Sequence, residues 1–177
     1  MPFQHPRGIV KEINKLKRQP DPRMHSVEHI LNQTMVRMYG CGRCFTAHID
    51  RKKSKCDYHF DHPLTDEEIS DIQSRINSVI DSDLPVTESF VSKDTAERLY
   101  NTEKLPNTIA GNLRIIHIGD YDACPCIGEH VSSTGEIGTF RITTTSYADG
   151  QLRIRFKLSR SSVARSVSDN PSNPSCS

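Results

Sequence analysis

One stretch decides how this chain folds: residues 25–39, which read HSVEHILNQTMVRMY. Its apolar residues recur at the three- and four-residue spacing of an amphipathic helix. The stripe that they form consists of Val27, Ile30, Leu31, Thr34, Met35 and Met38. Two histidines, His25 and His29, lie one helical turn apart on the side opposite to that stripe. The stretch therefore predicts a helix with one face in the core and a second, histidine-lined face over a cleft.

A second pair of residues with metal-binding side chains lies far downstream, where Cys126 is followed by three residues and then His130. Thiolate sulfur and imidazole nitrogen are ligands that tetrahedral zinc prefers in proteins. Two histidines on a helix are often simply exposed, and a Cys-x3-His pair on its own is weak evidence. The presence of both pairs in one chain predicts a zinc ion bound by His25, His29, Cys126 and His130.

The same residues carry a resemblance to a known family. A His-x3-His helix, a Cys-x3-His loop and the segment TGEIG at residues 134–138 follow one another in this order. This pattern resembles the editing domain of alanyl-tRNA synthetase, and above all its free-standing relatives, the AlaX-type trans-editing proteins. The resemblance covers residues 24–158, and the short chain implies the small AlaX class. The loop reads Cys-Ile-Gly-Glu-His where the family often has Cys-Gly-Gly-Thr-His, so both ligands are kept while the pocket floor differs.

The resemblance implies an activity, which is the zinc-dependent hydrolysis of tRNA for alanine that carries serine or glycine by mistake. A synthetase pocket shaped for alanine rejects glycine and serine poorly, so a second site removes the errors. The implied partner is the acceptor end of the mischarged tRNA, and neither DNA nor a membrane is expected. Two alternatives stay open: a non-catalytic zinc-containing module that binds tRNA or a synthetase, and a threonyl-type editing hydrolase.

Further site residues follow from their positions. Ser26, next to the first histidine, is expected to bind a substrate hydroxyl or orient water, although it could equally satisfy backbone N–H groups at the helix start. Gln33 lies one turn beyond His29 and is expected to line the cleft. In the segment that resembles the family, Thr134, Gly135 and Glu136 are expected to contact the substrate, with glycine allowing a close backbone approach.

The composition limits the possible partners. Of 177 residues, 34% are hydrophobic and 25% are charged, and the formal net charge is +1. A balanced charge means that RNA contacts must come from local basic patches. The candidates are Arg51, Lys52 and Lys53 at a hairpin tip and the basic residues of 11–18. Because no signal peptide precedes the six cysteines, we expect reduced thiols and a cytoplasmic protein.

Three segments are expected along the chain: a basic segment at 1–23 with a short helix over 8–18, an α+β domain at 24–158, and a disordered Ser-rich tail at 159–177. The fold class is α+β, with an antiparallel or mixed sheet packed against helices around a zinc-containing cleft. The expected elements after the first helix are a hairpin of 44–50 and 55–61, a helix that starts at a capping box of Thr65 and Glu68, a strand at 86–91, a helix over 92–100, a strand at 114–118, and a hairpin of 138–146 and 151–158 that turns at Asp149-Gly150.

A competing metal pattern is formed by Cys41-x2-Cys44 and Cys56-x2-His59, whose spacing is typical of structural zinc sites. In the predicted hairpin, however, Cys56 pairs with Ile49. Straight strands would then place Cys44 and Cys56 about 16 Å apart. This separation predicts that the two cysteines share no zinc and that Cys56 is a buried core residue and not a metal ligand. A set of Cys41, Cys44 and His59 remains an alternative.

Overall fold

The computed structural model describes residues 20–100 and 112–160. These ranges contain two antiparallel sheets, three α-helices and one short 3-10 helix, which confirms the α+β class without any parallel pairing. The helices are α1 (Pro22–Tyr39), α2 (Asp66–Asp81) and α3 (Lys93–Leu99). The strands are β1 (Thr46–His48), β2 (Ser54–His59), β3 (Val86–Ser92), β4 (Asn112–Ile118), β5 (Asp122–Pro125), β6 (Thr139–Ala148) and β7 (Gln151–Ser159). The helix expected at 8–18 and the tail beyond 160 lie outside the described residues.

Helix α1 begins three residues before the predicted start. Asp21 caps it by accepting a hydrogen bond from the Arg23 N–H at 3.0 Å. Pro22 occupies the first position, where a backbone N–H has no partner within the helix, so proline loses no hydrogen bond there. The helix ends at Gly40, whose φ of 63° is the left-handed conformation that favours glycine. The apolar stripe is buried as predicted, apart from Met38, which is half-buried. None of the helices in the described ranges is long and apolar enough to cross a membrane.

The larger sheet has the strand order β1-β2-β7-β6. Its β6–β7 hairpin turns at Asp149 and Gly150, both with positive φ, which confirms the predicted turn. Alternate residues of β7 are buried in one core together with the apolar faces of α1 and α2. The amide side chain of Asn77 fixes α2 to β6, because it accepts from the Phe140 N–H at 2.9 Å and donates to the Phe140 carbonyl at 3.0 Å.

The β1–β2 hairpin forms where predicted, but its register is shifted by two residues. Cys56 pairs with Ala47 rather than with Ile49. Cys44 lies before the strand begins, and its N–H donates to Oδ1 of Asn32 on α1 at 2.8 Å. Because the chain packs against α1 here, the straight-strand separation was wrong, and the sulfur atoms of Cys44 and Cys56 lie within 4.8 Å of each other. Cys56 is fully buried, as predicted.

The smaller sheet has the order β3-β4-β5, with the apolar strand β4 in its centre. Strand β5 was not predicted, because its four residues, Asp122–Pro125, show no apolar alternation. After β5 the chain returns to α2 through a 3-10 helix, Thr134–Glu136. The Thr134 hydroxyl donates to the Val79 carbonyl at 2.9 Å and accepts from the Leu84 N–H at 2.8 Å. This buried hydroxyl ties the segment to the end of α2.

We expect Thr134→Val to lower the free energy of unfolding by about 1–3 kcal/mol, since valine keeps the shape of threonine but leaves the Leu84 N–H without its acceptor. Urea denaturation measures the loss. Thr139→Val, at an exposed position on β6, is the matched control and should change stability little. Equal stability of the two variants would contradict the structural role of Thr134.

Candidate metal centre

Four side chains from two distant parts of the chain meet beside α1. His25 and His29 come from the helix, while Cys126 and His130 come from the loop after β5, and one ligand atom of each lies within 4.8 Å of the others. Nε2 of His25 is 3.4 Å from the Cys126 sulfur, and Nε2 of His130 is 3.5 Å from it. The structure thus brings together all four residues for which the sequence predicts zinc binding.

Two of the three imidazoles have an uncharged oxygen partner on the nitrogen that faces away from the Cys126 sulfur. Nδ1 of His25 is 3.1 Å from the Glu129 carbonyl, and Nδ1 of His130 is 3.0 Å from the Ser26 hydroxyl. Ser26 is fully buried, and its oxygen also accepts from the Val131 N–H at 3.2 Å. Such outer partners fix the tautomer and the orientation of histidines that bind metals. The Ser26 hydroxyl is therefore engaged within the protein, on the far side of the His130 ring.

The third imidazole, His29, is buried against a carboxylate. Its Nδ1 lies 3.6 Å from Asp122 and 3.2 Å from the Cys124 sulfur. Arg43 holds the same carboxylate through two bonds of 2.8 and 3.2 Å. Burial disfavours the charged form of His29, but the bonds to Asp122 and Cys124 outweigh it and raise the pKa of the imidazole well above its usual value.

Asp122, Cys124 and Arg43 were missed by the sequence analysis. They lie in the unpredicted strand β5 and in the loop after α1, and no spacing motif connects them. One signal was available: Cys124 is two residues before Cys126, so a second thiol at that position could have been noted.

The charge at the centre of the cluster is carried by Cys126. Burial opposes ionisation of its thiol, but the bonds from His130, His25 and His29 outweigh burial and lower its pKa to about 3. The Gly128 N–H also points at the sulfur, at 3.4 Å. One thiolate among three imidazoles is a donor set that suits a tetrahedral zinc ion. The residues present therefore fit the metal that the sequence predicts.

The loop that carries Cys126 and His130 is held by an arginine. Arg114 donates to the Cys126 carbonyl at 3.3 Å and to the Gly128 carbonyl at 2.7 Å, and it pairs with Glu88 on the neighbouring strand. Glycine at position 128 leaves room for the His25 ring, because a Cβ there would lie 2.2 Å from Cε1 of His25 and the ring would have to shift. The loop can approach the helical histidines this closely only without a side chain at that point.

The remaining predicted site residues lie in several places. Gln33 is half-buried on α1. Thr134 is buried and bonded to the end of α2, and the Gly135 N–H donates to Asp83 at 3.1 Å. Glu136 is exposed, and its carboxylate accepts from two backbone N–H groups of its own turn. The polar groups of this segment thus have partners within the fold, and contact with a substrate stays a prediction.

The basic tip is exposed as expected. Arg51, Lys52 and Lys53 lie in the turn between β1 and β2 with their side chains open to solvent. The second basic candidate, residues 11–18, lies outside the described residues. Contact of either patch with RNA stays a prediction.

Comparison with known proteins shows which proteins this chain is similar to. The family model of the threonyl and alanyl tRNA synthetase second additional domain matches residues 113–167. Similar curated proteins are alanine–tRNA ligases, and the chain spans only 17% of the length of each of the three ligases given below. The ligase of Caldicellulosiruptor saccharolyticus is 28% identical over 83% of this chain, that of Methanopyrus kandleri 28% over 87%, and that of Aeropyrum pernix 31% over 82%. These matches confirm the predicted resemblance to the alanyl-tRNA synthetase editing domain.

We expect Gly128→Ala to weaken zinc binding by about 10-fold or more, because the added methyl group displaces the His25 ring from the cluster. Competition with a chromophoric chelator measures the affinity. Gly42→Ala is the matched control, since nothing lies within 4 Å of a Cβ at that position. An affinity of Gly128→Ala equal to that of the control would contradict the close approach of the loop.

We expect Asp122→Asn to weaken zinc binding by about 10–100-fold, because it removes the negative charge that orients the His29 ring. Asp120→Asn, an exposed neighbour, should bind zinc like the wild type. Circular dichroism of both variants establishes that they are folded before affinities are compared. Unchanged affinity in folded Asp122→Asn would show that the carboxylate does not support the metal site.

Proposed function

We propose that this chain is a zinc-dependent deacylase that hydrolyses tRNA for alanine carrying serine or glycine, acting in trans. The observation that carries this proposal is the convergence of His25, His29, Cys126 and His130 in a chain that is similar to alanine–tRNA ligases. The cluster supplies a metal-binding donor set, and the similarity supplies the substrate class.

The reaction is the hydrolysis of an ester. The oxygen of water attacks the carbonyl carbon of the aminoacyl group, the bond from that carbon to the ribose oxygen breaks, and the products are the free amino acid and tRNA with a free hydroxyl. When bound, zinc would supply Lewis acidity or orient the aminoacyl end. The protein's own residues hold the donor set in place and decide from which side the ester approaches.

The cluster has a more deeply buried side and a less buried side. The His29 side chain is 5% exposed and backed by Asp122, whereas the His25 side chain is 14% exposed. Cys126 and His130 are half-buried, and Ile127 between them is 77% exposed. We therefore assign His29 the role of anchor and place the incoming aminoacyl end over His25 and the loop, where Ile127 offers an apolar contact.

Ser26 takes a different role from the one that its position first indicates. Its hydroxyl bonds to His130 and accepts from the Val131 N–H, which supports the positioning of a metal ligand rather than contact with a substrate hydroxyl. Gln33 stays a candidate for lining the cleft. In the downstream segment, Gly135 and Glu136 are exposed and stay candidates for contact with the aminoacyl end, while the buried Thr134 serves the fold.

The tRNA itself would be held by phosphate contacts. Lysine and arginine side chains supply most such contacts, and the exposed tip of Arg51, Lys52 and Lys53 is the candidate within the described residues. Such contacts position the acceptor end without reading its sequence, so selection of the amino acid falls to the cluster and its rim.

A second candidate function is a threonyl-type editing hydrolase. The matching family description names threonyl as well as alanyl synthetases, which favours this alternative over other hydrolases. Seryl-tRNA for threonine therefore belongs in any substrate panel, and its hydrolysis in preference to seryl-tRNA for alanine would establish the alternative. A non-catalytic tRNA-binding module is the third possibility.

The decisive experiment presents the zinc-loaded full chain with seryl-, glycyl- and alanyl-tRNA for alanine. We expect release of serine or glycine while alanyl-tRNA stays largely intact. His29→Ala should lose zinc and hydrolysis together, because it removes the buried anchor. His48→Ala, an exposed histidine on β1, is the control and should retain both. If the zinc-loaded wild type hydrolyses none of the charged tRNAs, the proposal is contradicted and the binding module is favoured.

A further inference from the structure

A second group of metal-ligand side chains lies inside the domain. Glu28 of α1, Cys44 of the loop before β1 and Cys56 of β2 each place one ligand atom within 4.8 Å of the others. Both cysteines are fully buried, and the Glu28 side chain is 13% exposed. The described cysteines are thiols rather than disulfides. Three separate elements thus bring two sulfur atoms and a carboxylate to one point.

The spacing of these atoms suits a tetrahedral cation. Zinc binds sulfur at about 2.3 Å and carboxylate oxygen at about 2.0 Å, so ligands at tetrahedral angles lie about 3.5 Å apart for a sulfur–oxygen pair. The Cys44 sulfur lies 3.7 Å from Oε1 of Glu28. We propose that Glu28, Cys44 and Cys56 bind a second divalent cation of the zinc class, with water in the fourth position.

The surroundings orient the proposed ligands. Asn32, one turn after Glu28 on α1, donates to Oε1 of that carboxylate at 2.9 Å. Its carbonyl oxygen accepts from the Cys44 N–H at 2.8 Å and from the Tyr58 hydroxyl at 3.1 Å. A single amide side chain thus fixes the carboxylate, the loop and the strand relative to one another. Bonds of this kind to ligand residues are typical of metal sites.

The site differs from the one that the sequence pattern indicates. Of the four residues in the Cys-x2-Cys and Cys-x2-His pattern, Cys41 directs its thiol to the Met35 carbonyl at 3.6 Å, and the His59 ring stacks on Phe45 at 4.3 Å between centroids. Neither belongs to the cluster. Glu28, which has no place in the pattern, completes the set with Cys44 and Cys56.

A cation here would have a structural role. It would join α1 to the β1–β2 hairpin at a point where a carboxylate and two thiols lie next to the apolar core, and its charge would offset the burial of ionised ligands. The other oxygen of Glu28, Oε2, lies 3.9 Å from Nε2 of His25. The same carboxylate therefore contacts a residue of the first metal centre, and fixing Glu28 would also restrain that centre.

Zinc stoichiometry tests the proposal independently of hydrolysis. Protein prepared with reductant, loaded with excess zinc and desalted should hold two zinc ions per chain by elemental analysis. Cys56→Ala should hold one, and so should Cys126→Ser combined with His130→Ala, since each change removes a different site. Cys41→Ala replaces a half-buried thiol that lies outside all three groups of metal-ligand side chains in the described residues; it is the matched control and should hold two.

One zinc or none in the wild type, or two in Cys56→Ala, would overturn the proposal. A measurement that does not depend on the folding of Cys56→Ala uses cobalt in the variant that combines Cys126→Ser with His130→Ala. Sulfur-to-cobalt charge-transfer absorption in the near ultraviolet is expected, and its absence would overturn the second site. Failure of the first centre would appear differently, as zinc that is retained in full when Cys126 and His130 are replaced.

Discussion

The contact between α1 and the loop that follows β5 is the interaction on which the candidate site depends. Helix α1 buries its apolar stripe in the core with the larger sheet, and its other face receives the loop. Ser26 is the link, because its one hydroxyl bonds both His130 and the Val131 backbone. Gly128 permits the approach by leaving room for the His25 ring. If α1 and the loop separated, two ligands would remain on each and no tetrahedral site would exist.

The electrostatics of the cluster follow from that contact. Imidazoles that face the Cys126 sulfur stabilise its thiolate despite burial, and the pKa of this thiol falls to about 3. Behind His29, Asp122 is held by Arg43, and an ion pair this well buried contributes little net stability because both charges lose water. The pair instead orients the site, because Arg43 fixes the Asp122 carboxylate and the fixed carboxylate can orient the His29 imidazole. The protein thus places its buried charges where they support a metal.

Much of the fold and of the candidate metal site could be predicted from the sequence, and physical reasons explain which predictions succeeded and which failed. Periodicity located α1, and the i, i+4 spacing put His25 and His29 on one face, because a helix has a fixed geometry. The register of the β1–β2 hairpin was not predictable, since a turn without a strong signal leaves the pairing free to shift by two residues. That shift, together with the packing of Cys44 against α1, is what brings Cys44 and Cys56 together. Asp122 and Arg43 were missed because tertiary pairs leave no spacing pattern.

A crystal structure of the zinc-loaded protein, with diffraction collected on both sides of the zinc absorption edge, tests the central claim most directly. The account predicts an anomalous peak enclosed by Nε2 of His25, Nε2 of His130, the Cys126 sulfur and the His29 ring, with a metal–sulfur distance of about 2.3 Å and metal–nitrogen distances of about 2.0–2.1 Å. Zinc bound elsewhere in the chain, with no peak among these four residues, would contradict it.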